Sequence, residues 1–184
     1  DDRQLVTQQQ MQHAKAIQRA LFTHPSAGPL LQHEHRAVEA SYFGFDEETG
    51  LEVRVRPDLE IDLNSVRVGV DLKSVSMGRV KQDALRAKLH REIIDRDYHL
   101  SAAMYSDIAA FDQFFWIFVN KDEGYHWVAI VEASPDLLEL GRLEYKKALR
   151  DIKNAFDTDT WPAPITEEIV DDLNDYDQRR MESL

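Results

Sequence analysis

Hydrophobic residues recur every three to four positions in several stretches of the chain, which is the spacing of one face of an α-helix. In residues 8–22 this spacing includes Ile17 and Leu21. The stretch that follows Ser134 begins with a residue type that caps helix N-termini. The predicted helices are residues 8–22, 25–32, 78–97, 98–111 and 135–156.

Other stretches have the patterns of β-strands. Residues 51–56 alternate apolar and charged side chains, as a half-exposed strand does. They follow residues 38–45 and a turn that ends at Gly50, so the two stretches are predicted to form a hairpin. Further strands are predicted at residues 66–72, 114–119 and 126–131, and the last two form a second hairpin.

The order of these elements predicts an α/β fold with a central mixed β-sheet flanked by helices. The sheet is mixed because both hairpins are antiparallel. Regular β-α-β alternation and glycine-rich phosphate loops are missing from the sequence, which excludes Rossmann and P-loop nucleotide-binding folds. A length of 184 residues suits one domain.

Two aspartates and a lysine fall where neighbouring strands could bring them together. Asp58 follows Pro57 at the end of the first hairpin, and Asp71 and Lys73 share one face of the next strand. Two carboxylates on rigid strands favour a hard cation such as Mg²⁺, with the carbonyl of Leu72 as a further oxygen. A cation beside a lysine can promote phosphodiester hydrolysis. The alternative is a solvated strand face, where this spacing is also common.

Composition narrows the class of protein. Hydrophobic residues make up 43% and charged residues 30%, as in globular proteins, and there is no cysteine. Disulfide scaffolds, thiolate zinc sites and cysteine nucleophiles are thereby excluded. No apolar run has the length of a membrane span, and the chain opens on polar residues rather than on a signal peptide. We therefore expect a cytoplasmic location and no membrane partner.

A net charge of −12 argues against a nucleic-acid partner, but the charge is unevenly distributed. Residues 54–98 contain ten Lys or Arg against eight Asp or Glu, and residues 74–91 contain five basic residues against Asp83 alone. Such a segment can bind phosphates, although a solvated helix face is the alternative. The candidate phosphate contacts are Arg79, Lys81, Arg86 and Lys88.

Several of these features follow one another in a recognisable order. GLEVRVRPD at residues 50–58, followed by VDLKS at residues 70–74, resembles the P-D…D-x-K pattern of the PD-(D/E)XK nuclease superfamily. The chain is further similar to the nuclease domain of exonuclease VIII (RecE) and related phage and prophage exonucleases, through YHLSAAMYSD at residues 98–107 and DTDTWP at residues 157–162. The resemblance implies a restriction-endonuclease-like fold, with a central mixed β-sheet flanked by helices.

The resemblance also implies a role for particular residues. Asp58 and Asp71 correspond to metal ligands, and Lys73 corresponds to the catalytic lysine. Glu39 is a further candidate ligand, either direct or through water. Tyr105 matches the tyrosine of the family's last motif and is a candidate DNA contact. The implied cofactor is Mg²⁺, for which Mn²⁺ substitutes.

Two features depart from the family pattern. Ser101 stands where the family has a glutamine, and its shorter side chain reaches less far. The family's metal-binding histidine, on an upstream helix, has no counterpart here, because the surroundings of His13 do not match. We therefore expect a nuclease domain at residues 1–162 that begins downstream of this element, followed by an acidic C-terminal tail at residues 163–184.

The function implied is that of a metal-dependent exodeoxyribonuclease acting on linear double-stranded DNA. It degrades one strand 5′ to 3′ and leaves single-stranded overhangs for recombination. The expected partners are duplex DNA, a single-strand annealing protein and further copies of the chain in a homo-oligomeric ring. Two alternatives stay open, namely an endonuclease or resolvase on the same fold and a catalytically silent DNA-binding module.

Three other groups of residues have weaker functional interpretations. His33 and His35 lack the spacing of a helical zinc site, which favours an exposed pair. The aromatic run at residues 114–118 is favoured as core over a base-stacking platform. His99 is interpreted as a satisfied core or near-site histidine, and the acidic residues 167–177 as a solvated, partly disordered tail.

Overall fold

The computed structural model describes residues 5–184, and the chain divides into two compact units, Asp1–Lys153 and Asn154–Leu184. The helices are α1 (Gln8–Thr23), α2 (Ala27–Leu31), α3 (Gln82–Asp95), α4 (Tyr98–Ala109), α5 (Pro135–Thr158) and α6 (Asp175–Glu182). The strands are β1 (Arg36–Val38), β2 (Tyr42–Phe45), β3 (Glu52–Val55), β4 (Leu59–Leu63), β5 (Val66–Val75), β6 (Gln113–Asn120) and β7 (Val128–Glu132).

Five of the strands form one mixed sheet in the order β1-β4-β5-β6-β7. The β5–β6 pair is parallel, and the other neighbours are antiparallel. A parallel pair needs a crossover connection, which α3 and α4 supply. The predicted α/β fold with a restriction-endonuclease-like mixed sheet is therefore confirmed. Strands β2 and β3 form the predicted first hairpin, but this hairpin is a separate antiparallel ribbon and not part of the central sheet.

Each face of the central sheet is covered by its own hydrophobic core. Alternate residues of β6 divide between the two cores, because side chains alternate across a strand. Phe114, Trp116 and Phe118 pack with α3 and α4 on one face, whereas Ile117 and Val119 pack with α1 on the other. The aromatic run is thus core, as predicted, and the base-stacking interpretation of these rings is wrong.

Two differences from the sequence prediction affect the candidate site. Residues 38–45 form two strands rather than one, because Glu39 has a positive φ of 51° that breaks the extended backbone. Strand β4 is missing from the prediction, although its apolar residues alternate with Glu60 and Asp62 as in a half-exposed strand. Asp58 therefore lies immediately before β4, instead of ending the first hairpin.

The helices start and end where local hydrogen bonds favour it. Thr7 and Gln10 form a capping box at the start of α1. The Oγ of Ser134 accepts the N–H of Leu137 at 3.2 Å, which confirms the predicted cap of α5. Helix α3 begins at Gln82 rather than at residue 78, where Gly78 has a positive φ. No helix in residues 5–184 combines the length and apolar character that crossing a bilayer requires.

The second unit contains a helix that the sequence prediction missed. Helix α6 lies within the tail that was expected to be partly disordered. The side chain of Asn174 accepts the N–H groups of Tyr176 and Asp177, each at 3.0 Å. An N-terminal cap and basic residues in the last turn favour a helix in this otherwise exposed segment. The boundary between residues 162 and 163 stays a prediction.

Candidate active site

Strands β4 and β5 place Asp58 beside Asp71. Leu59 pairs with Val70 in antiparallel register, so Asp58, one residue earlier, lies opposite Asp71, one residue later. The backbone N–H of Leu72 donates to Oδ2 of Asp58 at 2.8 Å and so orients this carboxylate. The missed strand β4 is therefore the element that positions the first aspartate.

The structure also brings Lys73 to the two aspartates. Its Nζ lies 2.6 Å from Oδ2 of Asp71, because residues 71 and 73 share one face of β5. Asp71 is only 5% exposed, whereas Asp58 is exposed. The trio thus joins a buried carboxylate and a half-buried lysine to a carboxylate that solvent can reach. These side chains lie together as the sequence predicts, and their chemical roles stay predictions.

Burial and like charge perturb the protonation of this group. Burial and the neighbouring carboxyl of Asp58 raise the pKa of Asp71 to about 7, and Lys73 offsets this only in part. Burial by itself would lower the pKa of Lys73, but its hydrogen bond to Asp71 and the charges of both aspartates raise it. Two carboxylates therefore share one ammonium. A donor set of two convergent carboxylates with unbalanced negative charge fits a divalent cation.

Tyr98 contacts the lysine of the trio and has no role in the sequence-based prediction. It is the first residue of α4, and the centroid of its ring lies 4.6 Å from Nζ of Lys73. This is a cation–π contact. The ring also lies 6.5 Å from that of Phe118, in the core beneath. The signal available in the sequence was an aromatic residue at the first position of a predicted helix.

Tyr105 lies on the same helix, and the charges of the trio affect its pKa. It is half-buried, and its pKa is raised first by burial and then by the negative charge of Asp71. Ser101 lies between Tyr98 and Tyr105 at spacings of three and four residues, so all three share one face of α4. The face of α4 with the family's motif residues thus covers the site. The DNA contact of Tyr105 stays a prediction.

Glu39 lies near Asp58 but is engaged elsewhere. Its N–H donates to the carbonyl oxygen of Asp58 at 3.0 Å, and its carboxylate lies 3.9 Å from Nη1 of Arg56. Glu39, Asp58 and Leu72 line a cleft of about 380 Å³, which Asp71 does not line. The structure therefore brings Glu39 to the edge of the site. Metal ligation by Glu39 or by the Leu72 carbonyl stays a prediction.

A second cluster of possible metal ligands lies apart from the trio. Within the described part of the chain, Asp97, His99 and Glu144 form the one group of three acidic or histidine side chains with ligand atoms within 4.8 Å of one another. Nε2 of His99 lies 2.6 Å from Glu144, and Nδ1 lies 3.4 Å from the carbonyl oxygen of Ile93. Both ring nitrogens of this buried histidine have partners, so it is a satisfied core histidine. It connects α4 to α5.

Helix α5 packs closely against α4 beside this histidine. A Cβ atom added at Gly141 would overlap the carbonyl oxygen of His99. Glycine is therefore the residue that permits this approach.

The other predicted residues lie outside the trio. The four basic candidates of the segment around α3 are exposed, and Arg86 lines a groove between α3 and β7. The ring of His13 contacts that of His126, with centroids 5.1 Å apart. His33 and His35 lie in the turn after α2, where His35 is exposed. Phosphate binding by Arg79, Lys81, Arg86 and Lys88 stays a prediction.

Comparison with known proteins shows which family the chain matches. Over residues 2–169 the chain matches a family described as a PDDEXK-like domain of unknown function (DUF3799). The fold is similar to the crystal structure of a candidate exonuclease from Eubacterium rectale, with 16% identity, a TM-score of 0.56, and coverage of 81% of this chain and 57% of that chain.

A second solved structure, that of SSO0001, has 10% identity and a TM-score of 0.41, with coverage of 80% of this chain and 59% of that chain. The chain thus spans less than two thirds of either solved protein. No curated protein gives a significant sequence match.

Proposed function

The chain belongs to this PDDEXK-like family, and we propose that it is a divalent-metal-dependent nuclease with Asp58, Asp71 and Lys73 at its catalytic centre. The observation that carries the proposal is the convergence of these three side chains from adjacent strands. In a solvated strand face the acidic groups would point to water, whereas Asp71 is 5% exposed and lies against an ammonium. Burying a carboxylate costs free energy unless it is paired, and carboxylates with a perturbed pKa are concentrated at functional sites.

Asp58 and Asp71 are the residues that would hold the cation. When bound there, a divalent cation would polarise the scissile phosphate and lower the pKa of a bound water. Asp71 lies on β5, Asp58 lies immediately before β4, and the N–H of Leu72 holds Asp58 in one orientation. Such preorganisation reduces the cost of assembling the site. Mg²⁺ is the proposed physiological ion, and Mn²⁺ is its proposed substitute.

Lys73 supplies the positive charge that phosphodiester hydrolysis needs on the protein side. Its ammonium lies beside Asp71 and against the ring of Tyr98, so its position is defined from two sides. From there it can stabilise negative charge as it develops on the phosphate or orient the attacking water. Its raised pKa keeps it protonated at neutral pH.

The finer form of the proposal is an exodeoxyribonuclease on linear double-stranded DNA. It rests on the resemblance to exonuclease VIII and on the similar fold of the Eubacterium rectale protein that is named as a candidate exonuclease. Degradation 5′ to 3′, overhangs for recombination, a homo-oligomeric ring and an annealing partner belong to this proposal. The exposed basic residues Arg79, Lys81, Arg86 and Lys88, together with Tyr105, are the proposed DNA contacts.

One assay tests the reaction and its dependence on metal. Labelled linear duplex DNA is incubated with the chain and Mg²⁺, or with EDTA. We expect hydrolysis only with Mg²⁺, and its loss in both Asp71→Asn and Lys73→Met. Matched controls are Asp95→Asn at the end of α3 and Lys15→Met on α1, both exposed positions. Equal hydrolysis by Asp71→Asn and by the unsubstituted chain would exclude the proposed centre.

Closed circular duplex separates the exonuclease from the two alternatives. An exonuclease degrades the linear duplex and spares the circle, because it requires an end. Cleavage of the circle at a comparable rate would indicate an endonuclease or resolvase. Binding without hydrolysis of either substrate in the presence of Mg²⁺ would indicate a silent DNA-binding module.

A further inference from the structure

The ribbon of β2 and β3 carries two exposed phenylalanines on its outer face. Phe43 is 74% exposed and Phe45 is 67% exposed. On the inner face, Val53 and Val55 of the paired strand are buried. Because side chains alternate along a strand, burial of the valines obliges both rings to point outward. Two large aromatic residues are thereby held in contact with solvent by the register of the ribbon.

Hydrogen bonds and an ion pair hold the turn between β2 and β3 in place. Asp46, which follows β2, is buried and accepts hydrogen bonds from the N–H and Oγ1 of Thr49 at 2.8 and 2.7 Å. It also pairs with Lys146 of α5. Burial acts to raise the pKa of Asp46, but the hydrogen bonds from Lys146 and Thr49 outweigh it and lower the pKa to about 2. The two rings therefore stand on a rigid element.

Two arginines, Arg54 and Arg56, lie on the segment of chain that runs from this ribbon to Asp58. Arg54 lies opposite Phe43, and its guanidinium carbon is 5.6 Å from the ring centroid. Arg56 follows β3 and lies 3.9 Å from the carboxylate of Glu39, and Asp58 comes two residues later. The four residue steps from Arg54 to Asp58 can span at most about 14 Å. The acidic Glu52 lies opposite Phe45, at the end of the ribbon away from Asp58.

We propose that Phe43, Phe45 and Arg54 form a stacking surface for a single DNA strand. The proposal rests on the proposed nuclease function and names the strand that this surface would hold. Aromatic rings and arginine planes stack with unpaired bases of any sequence. Arg56, which is nearer to Asp58 in the chain, suits the phosphates of a strand that continues to the site. A duplex keeps its bases inside, so the surface is expected to favour single-stranded DNA.

Fluorescence anisotropy of a labelled oligothymidylate, measured in EDTA to prevent hydrolysis, tests this surface. We expect Phe43→Leu and Phe45→Leu each to weaken binding by at least about fivefold, the lower end of base–aromatic stacking. Phe43→Tyr retains a stacking ring and should restore binding. Phe22→Leu is the matched control, since Phe22 is a 42% exposed phenylalanine on α1. The loss should be smaller for a blunt duplex of the same length.

Two results would overturn the stacking surface. One is unchanged oligothymidylate affinity in the double variant of Phe43 and Phe45 at an unchanged melting temperature. The other is loss of a self-associated species in gel filtration with unchanged affinity per chain, since the rings would then contact a second copy. If Asp71→Asn still abolishes hydrolysis in either case, only the stacking surface is wrong. Absence of both binding and hydrolysis in the unsubstituted chain would refute the nuclease proposal itself.

Discussion

The affinity of the Asp58–Asp71 pair for a divalent cation should depend on pH in a range set by Asp71. Burial and the carboxyl of Asp58 raise the pKa of Asp71 to about 7. A carboxylic acid has to lose its proton before it can ligate a metal. Between about pH 5 and pH 7, Mn²⁺ binding should therefore strengthen about tenfold for each unit of pH, and it should level off above about pH 7.

The same proton links pH to the stability of the metal-free chain. The ordinary pKa of an aspartate is 3.8, so the unfolded chain has lost this proton at a pH where folded Asp71 still binds it. The folded state then binds more protons between about pH 4 and pH 7, and the free energy of unfolding should fall as pH rises through this window. Saturating Mn²⁺ should stabilise the fold more at about pH 8 than at about pH 5.

Calorimetric titration with Mn²⁺ across about pH 5 to 8 measures this dependence directly. We expect the dissociation constant to decrease about 50-fold between about pH 5 and pH 7, with one proton released per ion bound at the lower pH. Lys73→Met removes the charge that holds the pKa of Asp71 down, so the plateau should begin at higher pH. Lys15→Met is the control and should follow the unsubstituted chain. A dissociation constant that is the same throughout this range would refute the reasoning.

Three further substitutions test other parts of the structure. Asp46→Asn should lower the free energy of unfolding by about 1–3 kcal/mol in urea at neutral pH, and the difference should shrink as pH falls from about 4 to 2, where the native carboxylate protonates. Gly141→Ala should cost about 1–3 kcal/mol in thermal denaturation, because its Cβ overlaps the backbone of α4. Tyr98→Leu should slow hydrolysis about 2- to 30-fold and shift its pH profile, whereas Tyr98→Phe should retain both.

The candidate site was largely predictable because it depends on local rules. Alternation along one strand puts Asp71 and Lys73 on the same face, and the motif order indicates which strand matters. The antiparallel β6–β7 pair of the central sheet followed from the predicted second hairpin. These inferences need only the period of a strand and the chemistry of carboxylates.

The remaining features depend on contacts between residues that are distant in the sequence. Strand β4 has the alternation of a half-exposed strand, but its pairing with β5, which sets Asp58 opposite Asp71, is not visible in that alternation. Tyr98 reaches Lys73 only through the packing of α4 on the sheet. The outward rings of Phe43 and Phe45 follow from a pairing register that assigns β2 to a separate ribbon. Neither pairing partner nor packing can be read from local spacing.

In the proposed site, Asp58 and Asp71 together hold a divalent cation. Anomalous diffraction from crystals of the chain soaked in Mn²⁺ locates such an ion by its own scattering. We expect a peak between the two carboxylates, beside Lys73, that is absent in Asp71→Asn. A peak only at the Asp97, His99 and Glu144 cluster, or none at the trio at saturating Mn²⁺, would contradict it.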